Sequence, residues 1–583
     1  RGLGDVYKRQ IPHYNDGTAK GQSGQDWAKS IIGIYQGEID VAANIGDSSA
    51  SVGNVGVYSK SGQRVEIVPQ DDLGAPSPDT TFPDYNIDKI HNLEIGAAKI
   101  YFGKYSTDGI MFAADQGSVI DVARPQKADA NATGTTPYLE ITPSTTIQDS
   151  ASALTSSVDD TSNQAATGTV IAYATGTWNN QNMPGGEAAR LTGQGSRINL
   201  YAPVIMSGRS DVTRAIPNPS VALLGDNKGI VNAKEDVTAN GYGSIVALAK
   251  RNGVVIADKN ITAKDTGASG DSATKPYLYT NIGAYAGSGG TVTIAGNADI
   301  HGIGGMADGN SSVVNLNGTG NTIKTGKDGA LVATNGGTVN FAGGIIDHSE
   351  NEAKDHDKST PMFANNTGHV NFTGHTTINI ANGILMPGQA SDYTAASGTA
   401  TKYNGMQHVD VNLTGDGVVL SSHDGHAPVH WTGGTIANVI QSEMKLNSFN
   451  DGGHSYKIYY INGDFFIDGN IDLDSTTEAF NKFVLAREKV TISPGVTVSS
   501  ATGKGLALGS NKHATTNMDS GYTNKGTINI TGGTPTGTTA INTSYGYLDN
   551  QSAINMDNGI AAYGVNGSKF TNCLLYTSPS PRD

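Results

Sequence analysis

Ala249-Lys-Arg-Asn-Gly253-Val-Val255-Ile-Ala257 and Ala286-Gly-Ser-Gly-Gly290-Thr-Val292-Thr-Ile294 are one phrase written twice. It reads Ala, three residues, Gly, one residue, Val, then a second apolar residue two positions on. Ala333/Gly337/Val339 with Phe341 and Ala364/Gly368/Val370 with Phe372 repeat it. Ala307/Val313 repeats it with Ser311 in the Gly place, and Gly225/Gly229/Val231 with Gly in the Ala place and Ala233 as a weaker second apolar residue. Ala113/Gly117/Val119 is an earlier copy. Alternation from the Val onward marks a half-buried strand, because successive side chains point to opposite faces. The Gly two residues upstream suits a corner, where a residue without Cβ takes positive φ cheaply. The unit is corner, short strand, corner.

The period selects the architecture. The Val positions from 231 to 370 are 24, 37, 21, 26 and 31 residues apart. A floor near 21 with variable excess is what one solenoid coil plus loop insertions gives, and a propeller blade or helical repeat would need a longer, fixed period. No 3.6-residue apolar stripe accompanies these strands. The expected fold is all-β: a right-handed parallel β-helix with loop insertions.

Composition agrees. Gly is 76 of 583 residues and charged residues are 16%, respectively about twice and well below the usual share. Thr, Asn and Ser fill the difference, as corners and polar ladders require. The recurring Val/Ile/Phe alternation argues against a disordered low-complexity chain. The net charge of −15 disfavours nucleic acid and anionic membrane surfaces as partners. No apolar run reaches the length of a membrane helix.

Both ends read as foreign. Asp5–Gln10 is encodable by GATGTGTATAAGAGACAG, and the complementary strand, read one base in, starts Cys-Leu-Leu-Tyr-Thr, the residues Cys573–Thr577. The termini 1–10 and 573–583 therefore resemble translations of a transposon-end sequencing adapter, and they are set aside from fold reasoning. The expectation is a reading frame cut at both ends, with signal peptide and C-terminal domain undetermined. Setting the ends aside removes the only cysteine and a net +2, moving the charge from −15 to −17. A chain without cysteine suits export through an oxidising periplasm.

In chain order, 11–122 reads as N-terminal coils, beginning near Gly37; 123–166 as a polar loop insertion; and 167–380 as the main repeat solenoid. Insertions at 259–280 and 347–361 account for the two widest gaps. Residues 381–525 are less regular; Ser475-Thr-Thr-Glu478 before Ala479–Leu485 fits a helix capping box or one more strand equally. Residues 526–572 read as the C-terminal coils, and from 524 the phrase changes: Asn524-Lys-Gly-Thr-Ile528-Asn-Ile530 recurs as Asn550-Gln-Ser-Ala-Ile554-Asn-Met556, 26 residues on, and leads into Gly559-Ile-Ala-Ala-Tyr563-Gly. Here the chain resembles the passenger domains of autotransporters (type V secretion). It is most similar to the large surface adhesins of anaerobic Gram-negative bacteria, whose coils read Asn-x-Gly-x-Ile followed by Gly-Ile-x-x-Tyr-Gly. The close resemblance covers about the last 50 native residues, and the motif is structural. It implies a secreted β-helix tethered to the outer membrane by a C-terminal barrel.

Chemistry-bearing clusters each carry a plainer reading. Gly46-Asp47-Ser48 continues as Ser49-Ala50 rather than the Gly and Pro a serine-protease nucleophile would have, in a stretch that reads as solenoid. His423, His426 and His430 have metal-ligand spacing, but the Gly425/Pro428 setting reads as a solvated turn. Asp347, His348, Glu350, Glu352, Asp355, His356 and Asp357 read as a solvated, self-repelling loop. Asp464, Asp468, Asp472 and Asp474 have the density of a Ca²⁺ site or of a glycan-cleaving carboxylate pair, yet Phe466, Ile467, Ile471 and Leu473 between them place them on the outside of strands. No phosphate loop or dinucleotide fingerprint occurs.

The expectation is an adhesin, not an enzyme: no catalytic residue, no metal, no cofactor, and a ligand-binding surface of unknown residues on loops carried by a rigid solenoid. Its partners would be surface receptors or glycans of host cells or bacteria, met outside the cell. At about 4.8 Å per coil and about 24 residues per coil, some 560 residues would extend roughly 100 Å. A secreted β-helical lyase or glycosidase and a purely structural stalk are the alternatives.

Overall fold

The computed structural model describes residues 110–123, 168–178, 192–206, 219–264, 280–325, 329–348, 360–385, 401–413, 465–474, 489–509 and 521–572 in continuous or nearly continuous stretches, with shorter strands from Ser30 onward outside them. The chain divides into two compact units. The first comprises Arg1–Ile323, Ala330–Phe341 and Asn365–Gly368, the second Lys324–Gly329, Ala342–Ala364 and His369–Asp583. Both are parallel β-helices, and among the described residues the only helical element is the 3₁₀ turn Met406–His408.

In the first unit each coil contributes a strand to three faces. Val221–Asp226, Ile245–Lys250 and Asn281–Gly287 lie on the first face, Ile230–Ala233, Val254–Ala257 and Thr291–Ile294 on the second, and Val237–Ala239 and Ile261–Ala263 on the third. Each strand pairs in parallel with its counterpart one coil on, so Val231, Val255, Val292, Val314 and Val339 form one buried column. The second apolar residue forms another: Ala233, Ala257, Ile294, Leu316 and Phe341, all buried. As this column grows, the facing first-face column thins through Leu223, Ala247, Ala284 and Gly305. A Cβ on Gly305 would stand 3.1 Å from Val314 Cγ1 and 3.2 Å from Val339 Cγ1. The first-face column widens again to Leu331 in the coil of Phe341, so the exchange of volume between the two columns holds only as far as Gly305.

The corners correct one sequence reading. Positive φ falls on the pair before the phrase Gly: Asn227 and Lys228, Arg251 and Asn252, Ser288 and Gly289, Asn335 and Gly336. The phrase Gly donates its N–H back across each corner, for example Gly253 to Lys250 at 2.8 Å and Gly229 to Asp226 at 2.8 Å, the pattern of a type I′ turn. The phrase Gly is small for another reason: a Cβ on Gly229, Gly253 or Gly290 would collide with the carbonyl oxygen of Ala174, Gly225 or Ala249 respectively.

Register also moves two copies of the phrase. The corner after Ala307 is one residue longer, so Ser312, not Ser311, takes the Gly place and Val314, not Val313, points inward. In the early copy the column passes through Ala114 and Ile120 with Ser118 at the corner, not through Ala113, Gly117 and Val119. Ser118 and Ser312 cap their own corners, donating hydroxyls to Asp115 O and Asp308 O at 2.7 Å each.

Several boundaries shift. Ser30–Tyr35 is already a coil strand, paired with Val55–Lys60, ahead of the expected start at Gly37. The stretch 123–166 is no plain loop: Thr145–Asp149 is a coil strand paired with Ala98–Phe102 and Val204–Met206, and Gln126–Ala128 pairs antiparallel with Leu139–Ile141. The sequence hides this strand because its Thr-Thr-Ile-Gln-Asp carries a single apolar residue, Ile147, which is buried. Within 259–280, Ile261–Ala263 belongs to a coil, leaving 265–279 as the insertion.

The second unit is built on one parallel sheet of nine strands: Gly344–His348, Thr376–Ile380, Val409–Leu413, Val429–Trp431, Phe465–Ile467, Lys489–Ile492, Gly521–Asn524, Tyr547–Asn550 and Lys569–Asn572. The 26-residue repeat aligns in register, with Asn524 against Asn550 and Ile528 against Ile554. Asn524, fully buried, donates Nδ2 to Asn550 Oδ1 at 2.8 Å, which satisfies that donor inside the coil, while its own Oδ1 is buried without a partner among the described residues. Ser475–Glu478 lies outside the described residues, while Leu485 starts a short strand with Ala486.

Candidate functional site

Gly46-Asp47-Ser48, His423, His426, Glu350, Glu352, Asp355, His356, Asp357 and Asp464 lie outside the described residues. Asp347 and His348 leave the expected polar loop: they end the strand Gly344–His348, and His348 points inward and is fully buried. Burial pushes its imidazole down to about 4, against smaller upward contributions from Asp347 and a hydrogen bond with the Thr325 backbone. A neutral histidine in that position is a core residue.

The structure joins one member of each of two separate clusters. His430 and Phe466 occupy neighbouring rungs of the nine-strand sheet. Their rings stack with centroids 4.5 Å apart and planes 6° from parallel. His430 Nδ1 is 2.6 Å from Asp468 Oδ2, and Ser493, one coil further on, donates its hydroxyl to Asp468 Oδ1. The carboxylate thus fixes the imidazole and leaves Nε2 as the ring's other functional nitrogen. This is not a nucleophilic triad, because the serine is bonded to the carboxylate instead of to the imidazole. The 38 residues between His430 and Asp468 hide the pairing from any reading of local spacing.

Asp474 is a structural clasp. Its carboxylate receives the hydroxyls of Ser500 and Thr502 and the backbone N–H groups of Ala501 and Thr502. Burial pushes its pKa up, but these bonds together outweigh burial and hold it below the ordinary carboxylate range. Asp474 also donates its own N–H to Asp472 Oδ1 at 3.0 Å. Among the described residues, no group of three or more His, Cys, Asp or Glu could hold a metal ion.

A third arrangement lies on the outside of the second face in the first unit. Between the buried columns, the residues pointing out are Ile230 and Asn232, Val254 and Ile256, Thr291 and Thr293, Val313 and Asn315, Thr338 and Asn340, all half-buried. Asn232 Nδ2 donates to Asn199 Oδ1 at 2.7 Å and Asn199 Nδ2 to Asp121 Oδ1 at 2.7 Å. Asn340 Nδ2 donates to Asn315 Oδ1 at 2.7 Å and Asn315 Nδ2 to Thr293 Oγ1 at 3.2 Å. The signal for this ladder is the middle residue of the phrase, in Val-Asn-Ala, Val-Thr-Ile, Val-Asn-Leu and Val-Asn-Phe.

No protein-family model, curated protein or solved structure matches the chain.

Proposed function

We propose that the chain is part of a secreted, surface-anchored autotransporter passenger that acts as an adhesin, binding cells or glycans through segments carried by its coils. The observation behind this reading is the coils' indifference to insertion. Ile245 pairs with Ile282 and Val255 with Val292 in unbroken register although residues 265–279 intervene. A scaffold that tolerates long excursions at its corners is suited to presenting them, since binding residues concentrate on loops held by rigid elements.

The test joins residue 264 to residue 280. Expected are unchanged β content and melting, with reduced adhesion to epithelial and bacterial cells; unchanged adhesion would remove this insertion from the binding surface. The secretion route is tested by reading the gene beyond residue 572. A downstream barrel of about a dozen amphipathic strands supports the passenger reading, and its absence ends it.

A second reading, a glycan-cleaving β-helix, draws on His430 and Asp468. An imidazole oriented by a carboxylate is the arrangement of a general base. Release of reducing ends or unsaturated products from polysaccharides, lost in His430→Ala, would favour it over the adhesin.

A further inference from the structure

The outer second face of the first unit is uncharged over five consecutive strands, from Ile230–Ala233 to Thr338–Phe341. Its ten outward residues form two parallel columns. One is largely β-branched and apolar: Ile230, Val254, Thr291, Val313 and Thr338. The other carries amides and a hydroxyl, interrupted by Ile256. Two ion pairs stand at its borders, Lys234 Nζ 2.8 Å from Asp258 Oδ2 along one edge and Arg251 bonded to Asp226 along the other, and Lys228 and Lys250 are exposed at the latter edge.

The amides are held and still have capacity. A carboxamide offers two N–H donors and two acceptor lone pairs. Asn199 and Asn315 each spend one donor and one acceptor on their neighbours along the ladder, and Asn232 spends one donor. Asn232 and Asn315, on the strip itself, each keep at least one donor and one acceptor while the ladder holds the amide in place. Fixing them beforehand lowers the ordering cost of binding.

The dimensions select the partner. Five strands at about 4.8 Å and four residues at about 3.3 Å give a strip roughly 24 Å by 13 Å. Its area, roughly 300 Å², is far below the ~800 Å² per partner of a stable protein interface, so neither a second copy nor a globular protein is well served. Nucleic acids and acidic polysaccharides require cations that the strip lacks. A lipid surface requires a more apolar face with basic residues around it. We infer that the outer second face over residues 230–341 binds an extended, uncharged polysaccharide, its hydroxyls meeting the amide column and its C–H faces the β-branched column. This inference rests on the reading of the chain as a binding solenoid but uses a surface distinct from the insertions.

The experiment is affinity electrophoresis of the intact chain through gels containing a neutral β-glucan, a galactomannan, polygalacturonate or no polymer. Three variants run alongside: Val254→Lys with Val313→Lys, the single Thr291→Lys, and the 265–279 deletion, each checked by circular dichroism and melting. Retardation by a neutral polymer, weakened at least tenfold in a folded strip variant and retained in the deletion, is the expected result. If the double variant is unfolded, the single variant decides. Retardation abolished by the deletion but kept by the strip variants would overturn the strip while preserving the loop-borne adhesin. Retardation by polygalacturonate alone, or by no neutral polymer, would overturn the strip as well; cell adhesion, measured separately, then stands or falls by itself.

Discussion

Single residues set the terms on which each coil closes. Asn252 takes positive φ, whereas Gly253 next to it does not and instead meets the carbonyl of Gly225. Substituting each therefore has opposite expected effects. Asn252→Gly should be neutral or stabilising by up to about 1 kcal/mol, since left-handed backbone costs a non-glycine residue. Gly253→Ala should cost about 1–3 kcal/mol through forced displacement of the neighbouring coil. Denaturant melts of the two variants check this, and equal destabilisation would mean the corner has been misassigned. His348 gives a pH signature. Its folded-state value of about 4 lies below the ordinary ~6.5, so the unfolded chain takes up the proton first. Its neutral burial carries no penalty above about pH 6.5, and as pH falls towards 4 the second unit should lose about 3 kcal/mol. In His348→Gln the difference between melts at pH 7 and pH 4 should shrink. A pH dependence identical to the parent's would put the titrating group elsewhere.

At the scale of the strand, alternation decides what a substitution costs. Val339 is fully buried while Thr338, its neighbour in the same strand, faces out. Val339→Asp places an unpaired carboxylate in the coil interior and should cost about 3–5 kcal/mol; Thr338→Asp should stay within about 0.5 kcal/mol. Melts that do not separate the two would refute the register of Thr338–Phe341. Strands with two apolar residues at alternate positions were readable directly, as Thr291–Ile294 and Thr338–Phe341 show. Thr145–Asp149 was not, because Ile147 is its single apolar residue and coil membership comes from its partners Ile100 and Val204. The copy at Ala113 lies one residue off throughout, with Ser118 in the place read for Gly117, whereas the copy at Ala307 departs only at its longer corner. A corner can lengthen by one residue without altering local composition, and a one-residue slip exchanges the faces of a strand.

For the molecule as a whole, the acidic balance predicts that duplex DNA at about 50 mM salt will not be retarded by the chain in a gel-shift assay; retardation would contradict the charge argument directly. The sequence by itself determined the coil: short strands, corners, a variable period, and a core made of every second residue. These are local properties, because the pleat and the turn act over two to four residues. Only the tertiary structure decided which residues stand beside one another from coil to coil. It placed His430 on Asp468 across 38 residues, drew His348 from an acidic loop into the core, and lined Asn232 up with Asn199. Those adjacencies depend on register along the solenoid axis. Register is set by the length of each corner and by the fit of one coil's side chains into the next, and neither is written in the spacing of a single strand.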